Sequence, residues 1–243
     1  MFAELGIPVM RVRKSIAEEL AKREGSNVTI NLPIDISSKQ CNNVIGVLPG
    51  KDTNVTGTLT AHYDHIGDDP KEFGFSGAFD NASGVSVILE LVHKFKKEQK
   101  TLPFNLLICF LTGEESDFWG AKHLIQHQHL PLSAVINFDV LGLNPELKEV
   151  RRGQIDPGHW LSKLTINTLN KYNVISRNHR GNDDSKVFIS SGIPTIGFGE
   201  YNIHNIGPKI HTPDDNVEAM HYEQLVKVIK IVDSMLDQLS IQS

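Results

Sequence analysis

Cysteine is nearly absent from this 243-residue chain. Its two copies, Cys41 and Cys109, supply neither a disulfide framework nor a zinc knuckle. Cys109 sits inside an apolar run and reads as a small buried hydrophobe. Long hydrophobic runs are missing too. The longest uninterrupted one, Leu106 to Leu111, falls far short of the ~18 residues a membrane-spanning helix needs. Surplus positive charge is lacking: Lys plus Arg number 24 against 29 Asp plus Glu, a net charge of −5. Bulk electrostatics therefore offer no grip on nucleic acid or anionic lipid. No charged-then-apolar leader opens the chain, because Met1 to Met10 is too short and Arg11, Arg13 and Lys14 follow it, so a cytoplasmic placement is expected of the chain as it stands. Internal repeats, low-complexity tracts and long linkers are also absent. What remains is ordinary globular usage, 40% hydrophobic and 22% charged, which excludes a disordered tail. At roughly 150 residues per domain this length allows one to two, and the lack of a linker favours a single domain over 1–243.

The periodic segments come in an informative order. Ile16 to Glu24 reads as the end of an amphipathic helix stopped by Gly25. Asn27 to Ile36 alternates as a half-buried strand does, and Val44 to Leu48 and Thr58 to Ala61 read as further strands. A loop is expected from Gly67 to Phe79. Val85 to Lys97 then has helical spacing, with Val85, Ile88, Leu89, Val92 and Phe95 on one face. Phe104 to Leu111 is continuous and apolar, as a strand covered on both faces is. Phe118 to His127 (helix), Ala134 to Asp139 (strand), Trp160 to Tyr172 (helix), Thr195 to Phe198 (strand) and Tyr222 to Leu239 (helix) complete the series. Alternating strands and helices predict an α/β three-layer sandwich, with helices on both faces of a mixed, mostly parallel sheet. The early strands suggest a hairpin at one edge.

In an open α/β sheet, ligands gather at the carboxyl ends of strands. Here nearly every candidate strand runs into a metal-type side chain: His62, Asp64 and His65 after Thr58–Ala61, Glu114 and Glu115 after Phe104–Leu111, and Asp139 after Ala134–Phe138. Asp80 precedes a helix, and His211, Asp214 and Asp215 precede the last one. Taken singly, Asp80 reads equally as a helix N-cap, and the two glutamates as first-turn acids favoured by the helix dipole. Asp139 is harder to explain away, since no cation lies near it in sequence and an isolated buried carboxylate is costly. Imidazoles and carboxylates crowded at one sheet edge suit zinc. Ligands spread widely over separate strand ends fit a catalytic site better than a closed structural one. Adjacent glutamates allow one to hold an ion while the other takes a proton from water.

The motifs His62-Tyr63-Asp64, Phe79-Asp80-Asn81-Ala82-Ser83-Gly84, Gly113-Glu114-Glu115, Asn137-Phe138-Asp139 and Ile210-His211-Thr212-Pro213-Asp214-Asp215 resemble, in order, those of the co-catalytic zinc aminopeptidases. That family also holds glutamate carboxypeptidase and, as a divergent branch, the glutaminyl cyclases. The resemblance runs from Asn42 to the C-terminus and implies a zinc-exopeptidase fold with two Zn2+ per chain. It implies that Asp80 bridges the ions, that His62 and Asp139 complete one position, and that Glu115 and His211 complete the other. Glu114 would be the general base, activating a water that bridges the ions, and Asp64 the carboxylate that orients His62 through its other ring nitrogen. A cis peptide is expected between Asp80 and Asn81. The implied activity is removal of N-terminal residues from peptides. The rival readings are a glutaminyl cyclase with one zinc, or a catalytically inactive binding domain on the same fold. An extracellular location would follow if the chain is a fragment of a longer secreted enzyme.

Departures from the family pattern matter as well. Ile210 stands where several members carry an oxyanion-stabilising tyrosine, and Tyr201 is the nearest substitute. Gly181 to Phe188 resembles a substrate-side Ser-Asp-His motif with Ser185 at the histidine position, which would set Asp184 in the pocket wall. Gly6 to Met10 looks like the exit from an inserted lid domain, so about residues 1–35 are read that way. His65 is read as a neighbour of the site, and His123 and His127 as a solvated helix face, because Leu124 stands where a metalloprotease of that spacing needs glutamate. His129, His159, His179, His204 and His221 carry no readable pattern. Few arginines lie near the motifs, which weighs against recognition of a C-terminal carboxylate.

Overall fold

The computed structural model describes residues 12, 14–31, 39–67, 74–127, 131–201 and 209–239. The chain divides into two compact units, residues 1–39 and 40–243. In the first, Lys14–Ala21 forms helix α1, and Gly25 adopts φ +82° in the turn beyond it, the left-handed geometry that suits a glycine stop. Residues 27–31, expected to begin a strand, are irregular and exposed. Alternation alone does not make a strand without a partner for its backbone groups. The rest of that expected strand, the Gly6–Met10 segment, His129 and His204 lie outside the described residues.

The second unit contains β1 (Val44–Leu48), β2 (Asp52–His62), α2 (Ser83–Lys97), β3 (Phe104–Leu111), α3 (Trp119–His127), β4 (Ala134–Phe138) and β5 (Glu149–Arg151). It continues with α4 (Trp160–Lys171), β6 (Ile175–Arg177), α5 (Ser185–Ser190), β7 (Thr195–Glu200) and α6 (Tyr222–Gln238). The seven strands lie in the order β1-β3-β2-β4-β7-β5-β6. β3, β2, β4 and β7 run parallel to one another, while β1 and β5 are antiparallel to their neighbours β3 and β7. Among the described residues no edge hairpin forms: β1 pairs with β3 in the register Val44↔Phe110 rather than with β2.

Side-chain alternation along β3 assembles the layers. Leu106 and Ile108 join a core shared with Val87, Ile88, Leu91 and Phe95 of α2 and with Val228, Ile231 and Val232 of α6. Leu107, Cys109 and Leu111 face the opposite way, against Ala121 and Leu124 of α3 and Phe188 of α5. Helices thus cover both faces of the sheet. Each large side chain buried here is worth about 1.5–3 kcal/mol. Burial also pushes the Cys109 thiol up to about 12, consistent with a packing role. Leu89, expected on the inner face of α2, is exposed, one position and so about 100° round the helix from buried Ile88. No described helix is long and apolar enough to cross a membrane.

The parallel strands set the site. β2, β3, β4 and β7 are adjacent and point the same way, so their carboxyl ends share one edge. His62 ends β2 opposite Leu111 at the end of β3, and Thr60 opposes Asn137 in β4.

Candidate metal centre

His62 is almost fully buried, and its Nε2 lies 3.1 Å from Asp80 Oδ1 and 3.3 Å from Asp139 Oδ1. The other ring nitrogen, Nδ1, is 3.1 Å from the Asp64 main-chain oxygen. A carbonyl only accepts, so Nδ1 donates and Nε2 is aimed at the two acids. The Asp64 carboxylate, expected to orient this ring, stands 3.7 Å away and does other work. Its Oδ1 accepts from the Glu114 amide (3.2 Å) and its Oδ2 from the Glu115 amide (3.3 Å). Asp64 therefore positions His62 through its backbone and the two glutamates through its side chain. Asn43 braces the same turn, accepting from Thr112 N at 3.1 Å and donating to Gly120 O at 2.9 Å.

Asp80 sits in the turn 78–82, with a cis peptide to Asn81 as expected. The turn is pinned on several sides: Phe79 N donates to Asp215 Oδ1 (2.5 Å), Asn81 Nδ2 to Phe138 O (2.9 Å) and Ser83 Oγ to Phe79 O (2.7 Å). Both Asp80 oxygens are engaged. Oδ1 faces His62, and Oδ2 lies 3.0 Å from His211 Nε2, which is itself 2.9 Å from Glu115 Oε1. One carboxylate thus touches two histidines through separate oxygens, linking an inner group (His62, Asp139) to an outer one (Glu115, His211).

Asp139 follows β4, and the next residue, Val140, adopts φ +61°, a left-handed conformation costly for a β-branched side chain. The missing cation is present in space. Arg151 of β5 donates through Nη2 to Asp139 Oδ2 and to Asp139 O, both at 2.8 Å, and through Nη1 to Asp183. Gly199 and Gly181 leave room for that guanidinium, because a Cβ at either would collide with it.

The electrostatics are those of a crowded acidic pocket. Burial opposes charge on His62, yet the Asp139 and Asp80 carboxylates hold its pKa well above the usual imidazole value. His211 is raised to about 10 by its hydrogen bonds with Asp80 and Glu115. Burial works to raise Glu115, but His211 and His65 take it down to about 2. Asp80 is likewise lowered, its burial outweighed by His211 and His62. Glu114 behaves oppositely: burial, aided by Asp139, Asp184 and Glu115 against the pull of His62, pushes it up to about 9. Among the described residues its carboxylate has no hydrogen-bond partner.

These donors fit zinc. Nitrogen and carboxylate ligands about 2.0–2.1 Å from a tetrahedral ion stand roughly 3.3 Å apart. The Asp80, Asp139 and Glu115 contacts with the two imidazoles span 2.9–3.3 Å. The surplus of carboxylates is what a pair of divalent cations would neutralise. Beside this cluster opens a cleft of about 530 Å³ walled by Phe118, Val140, Tyr201 and Ile210, with Arg180 and Asn182 on one side.

The sequence profile of peptidase family M28 matches residues 43–236. This chain belongs to peptidase family M28. The similarity extends to aminopeptidase YwaD of Bacillus subtilis (strain 168), 27% identical over 236 residues, covering 91% of this chain and 49% of that protein. The chain is also similar to a glutaminyl-peptide cyclotransferase of Dictyostelium discoideum, 28% identical over 240 residues, covering 81% of this chain and 63% of that protein. The solved LapA aminopeptidase of Legionella pneumophila shares the fold at a TM-score of 0.71 and 22% identity, over 83% of this chain and 55% of that one. The chain thus spans about half the length of the aminopeptidases it resembles.

Within this M28 chain, the expected ligands His62, Asp80, Glu115, Asp139 and His211 all converge. Tyr201 lines the cleft and packs edge-on against His179, and Ile210 packs beside Phe79, Val140 and Leu143. Asp184, expected in the pocket wall, is instead buried behind it, with neither carboxyl oxygen hydrogen-bonded among the described residues. Burial raises it to about 8. His123 and His127 stack on each other on α3, away from the cluster. His159 caps α4, accepting from Leu161 N. Two arginines at the site, Arg151 paired with Asp139 and Arg180 in the cleft lining, were missed. Arg151 lies on a three-residue strand too short to show a period. Arg180 has no sequence signature, and among the described residues it makes no hydrogen bond or ion pair.

Proposed function

We propose that this chain carries the catalytic domain of a zinc-dependent aminopeptidase, with two ions held jointly by Asp80. His62 and Asp139 would complete one position and Glu115 and His211 the other. The observation that carries the reading is Asp80 itself, whose two oxygens meet two different histidines. When bound, such a zinc pair would supply Lewis acidity, lowering the pKa of a bound water and polarising the scissile carbonyl.

The chain's own residues do the rest. Glu114 accepts the proton as the water oxygen attacks the carbonyl carbon, then delivers it to the amine nitrogen as the peptide C–N bond breaks. Burial raises the Glu114 carboxyl in the metal-free site, and the positive charge of bound zinc would bring it back toward the ionised form that a base needs. Arg151 fixes the far oxygen of Asp139, leaving the near one for the metal. Asp64 holds the Glu114 and Glu115 amides, so base and ligand keep a constant spacing. Phe118, Val140 and Ile210 offer an apolar wall to a substrate side chain.

The test is release of amine from a panel of aminoacyl p-nitroanilides by zinc-loaded protein, run with metal analysis. Cleavage that needs a free N-terminal amine, with two zinc ions per chain, is expected. A second reading, glutaminyl cyclisation, is favoured by the cyclotransferase relative. One zinc per chain, with ring closure of N-terminal glutamine and no amide release, would replace the first reading by the second. Failure to turn over either class would favour a binding domain.

A further inference from the structure

His65 belongs to none of the five ligand positions assigned above, yet the structure holds it against them. Its Nδ1 lies 3.3 Å from Glu115 Oε1, the oxygen that also meets His211. Its ring packs edge-on against the His211 ring, with centroids 5.5 Å apart. Both of its ring nitrogens are buried, and neither has a hydrogen-bond partner among the described residues. Buried polar atoms ordinarily find partners, and a histidine has one donor and one acceptor to satisfy. Space for the ring is also built in. Gly77 adopts φ +62°, and a Cβ there would come within 2.8 Å of His65 Cγ. One ligand atom from each of His65, Asp80, Glu115 and His211 falls in a group whose members all lie within 4.8 Å of one another.

We propose that His65 is a further metal ligand, joining Asp80, Glu115 and His211 at the outer position through a ring nitrogen. The proposal rests on the two-ion reading of the site. The outer position then has two imidazoles and two carboxylates, against one imidazole and two carboxylates inside. A second neutral nitrogen donor strengthens the grip of the more exposed position without adding negative charge, and imidazole is a preferred donor for zinc.

The experiment loads the chain with cobalt(II) after labelling its histidines with 15N, and counts the imidazole N–H proton signals shifted by the paramagnetic ion. Three ligating histidines are expected, His62, His65 and His211. His65→Ala and His65→Asn should each remove one signal and weaken the second cobalt equivalent by about tenfold or more. Two cobalt ions bound with only two such signals, unchanged by either variant, would overturn the assignment of His65 while leaving the two-ion reading intact. A chain that takes up no cobalt would overturn both.

Discussion

The inner and outer halves of the metal centre are built by different means. The inner half rides on the sheet: His62 ends β2, Asp139 follows β4, and a buried guanidinium ties Asp139 to Asp183. Its histidine is 1% exposed. The outer half rides on turns: Glu115 lies in the bend after β3, and His211 occupies a loop at φ +59° with 37% of its side chain exposed. Strand register places the first, whereas loop geometry places the second. Where water reaches a charge, attraction to it is screened, so a cation held there is the easier one to remove.

The largest effect that would sharpen this contrast comes from the two adjacent glutamates. Glu114→Gln is expected to keep both metals and lower kcat by about 10³-fold or more, read by single-turnover assay with metal analysis. Glu115→Gln should instead lose the outer metal. If Glu114→Gln loses metal too, base and ligand have been assigned the wrong way round. Next is the tie that makes the inner half rigid. Removing Arg151 as Arg151→Met leaves Asp139 and Asp183 buried without their cation, and should cost about 3–5 kcal/mol in urea unfolding of the metal-free protein. A loss below ~1 kcal/mol would mean that the sheet alone holds the inner acid.

A smaller effect is stepwise metal release. Dialysis against a graded chelator should remove zinc in two phases whose affinities differ by about tenfold or more. Equal affinities would erase the distinction between the halves. The smallest effect is pH dependence after chelation. His62 and His211 are raised from 6.5, so the stability their charged forms give is complete below that pH and is lost as pH climbs, for His211 through about 10. Glu114 and Asp184, raised to about 9 and about 8, act in the same direction, because the fold prefers them protonated. Asp80 and Glu115 are lowered and lose their contribution only on acidification. Between pH 6 and 9, Tm of the metal-free protein should therefore fall, while the zinc-loaded protein should change less. A rise over that window would contradict these assignments.

Strands buried on both faces were legible because they are apolar with a single asparagine each: β3 matches its expected bounds, and β4 ends one residue early. Alternation without a partner misled at residues 27–31, and the pairing of β1 with β3 depends on contacts distant in sequence. β5 and β6 are too short for any period to emerge, and with β5 the sequence hid Arg151. The candidate ligands stood out because each lies at or beyond a strand end or ahead of a helix. Asp139 was correctly singled out as a carboxylate in need of neutralising. Part of what neutralises it is a guanidinium twelve residues on, which only the antiparallel pairing of β5 beside β7 brings back. Asp64 was flagged as a supporting group, but nothing in a sequence separates its carbonyl from its carboxylate as the atom facing His62.

One feature of that support constrains any redesign of the site. A single aspartyl side chain clips two successive peptide N–H groups, so Glu114 and Glu115, the proposed base and the proposed ligand, are held as one piece. A substitution at Asp64 that loosens either should loosen both. Tuning the turnover chemistry of this scaffold without disturbing its cation would therefore call for changes elsewhere, at the cleft wall.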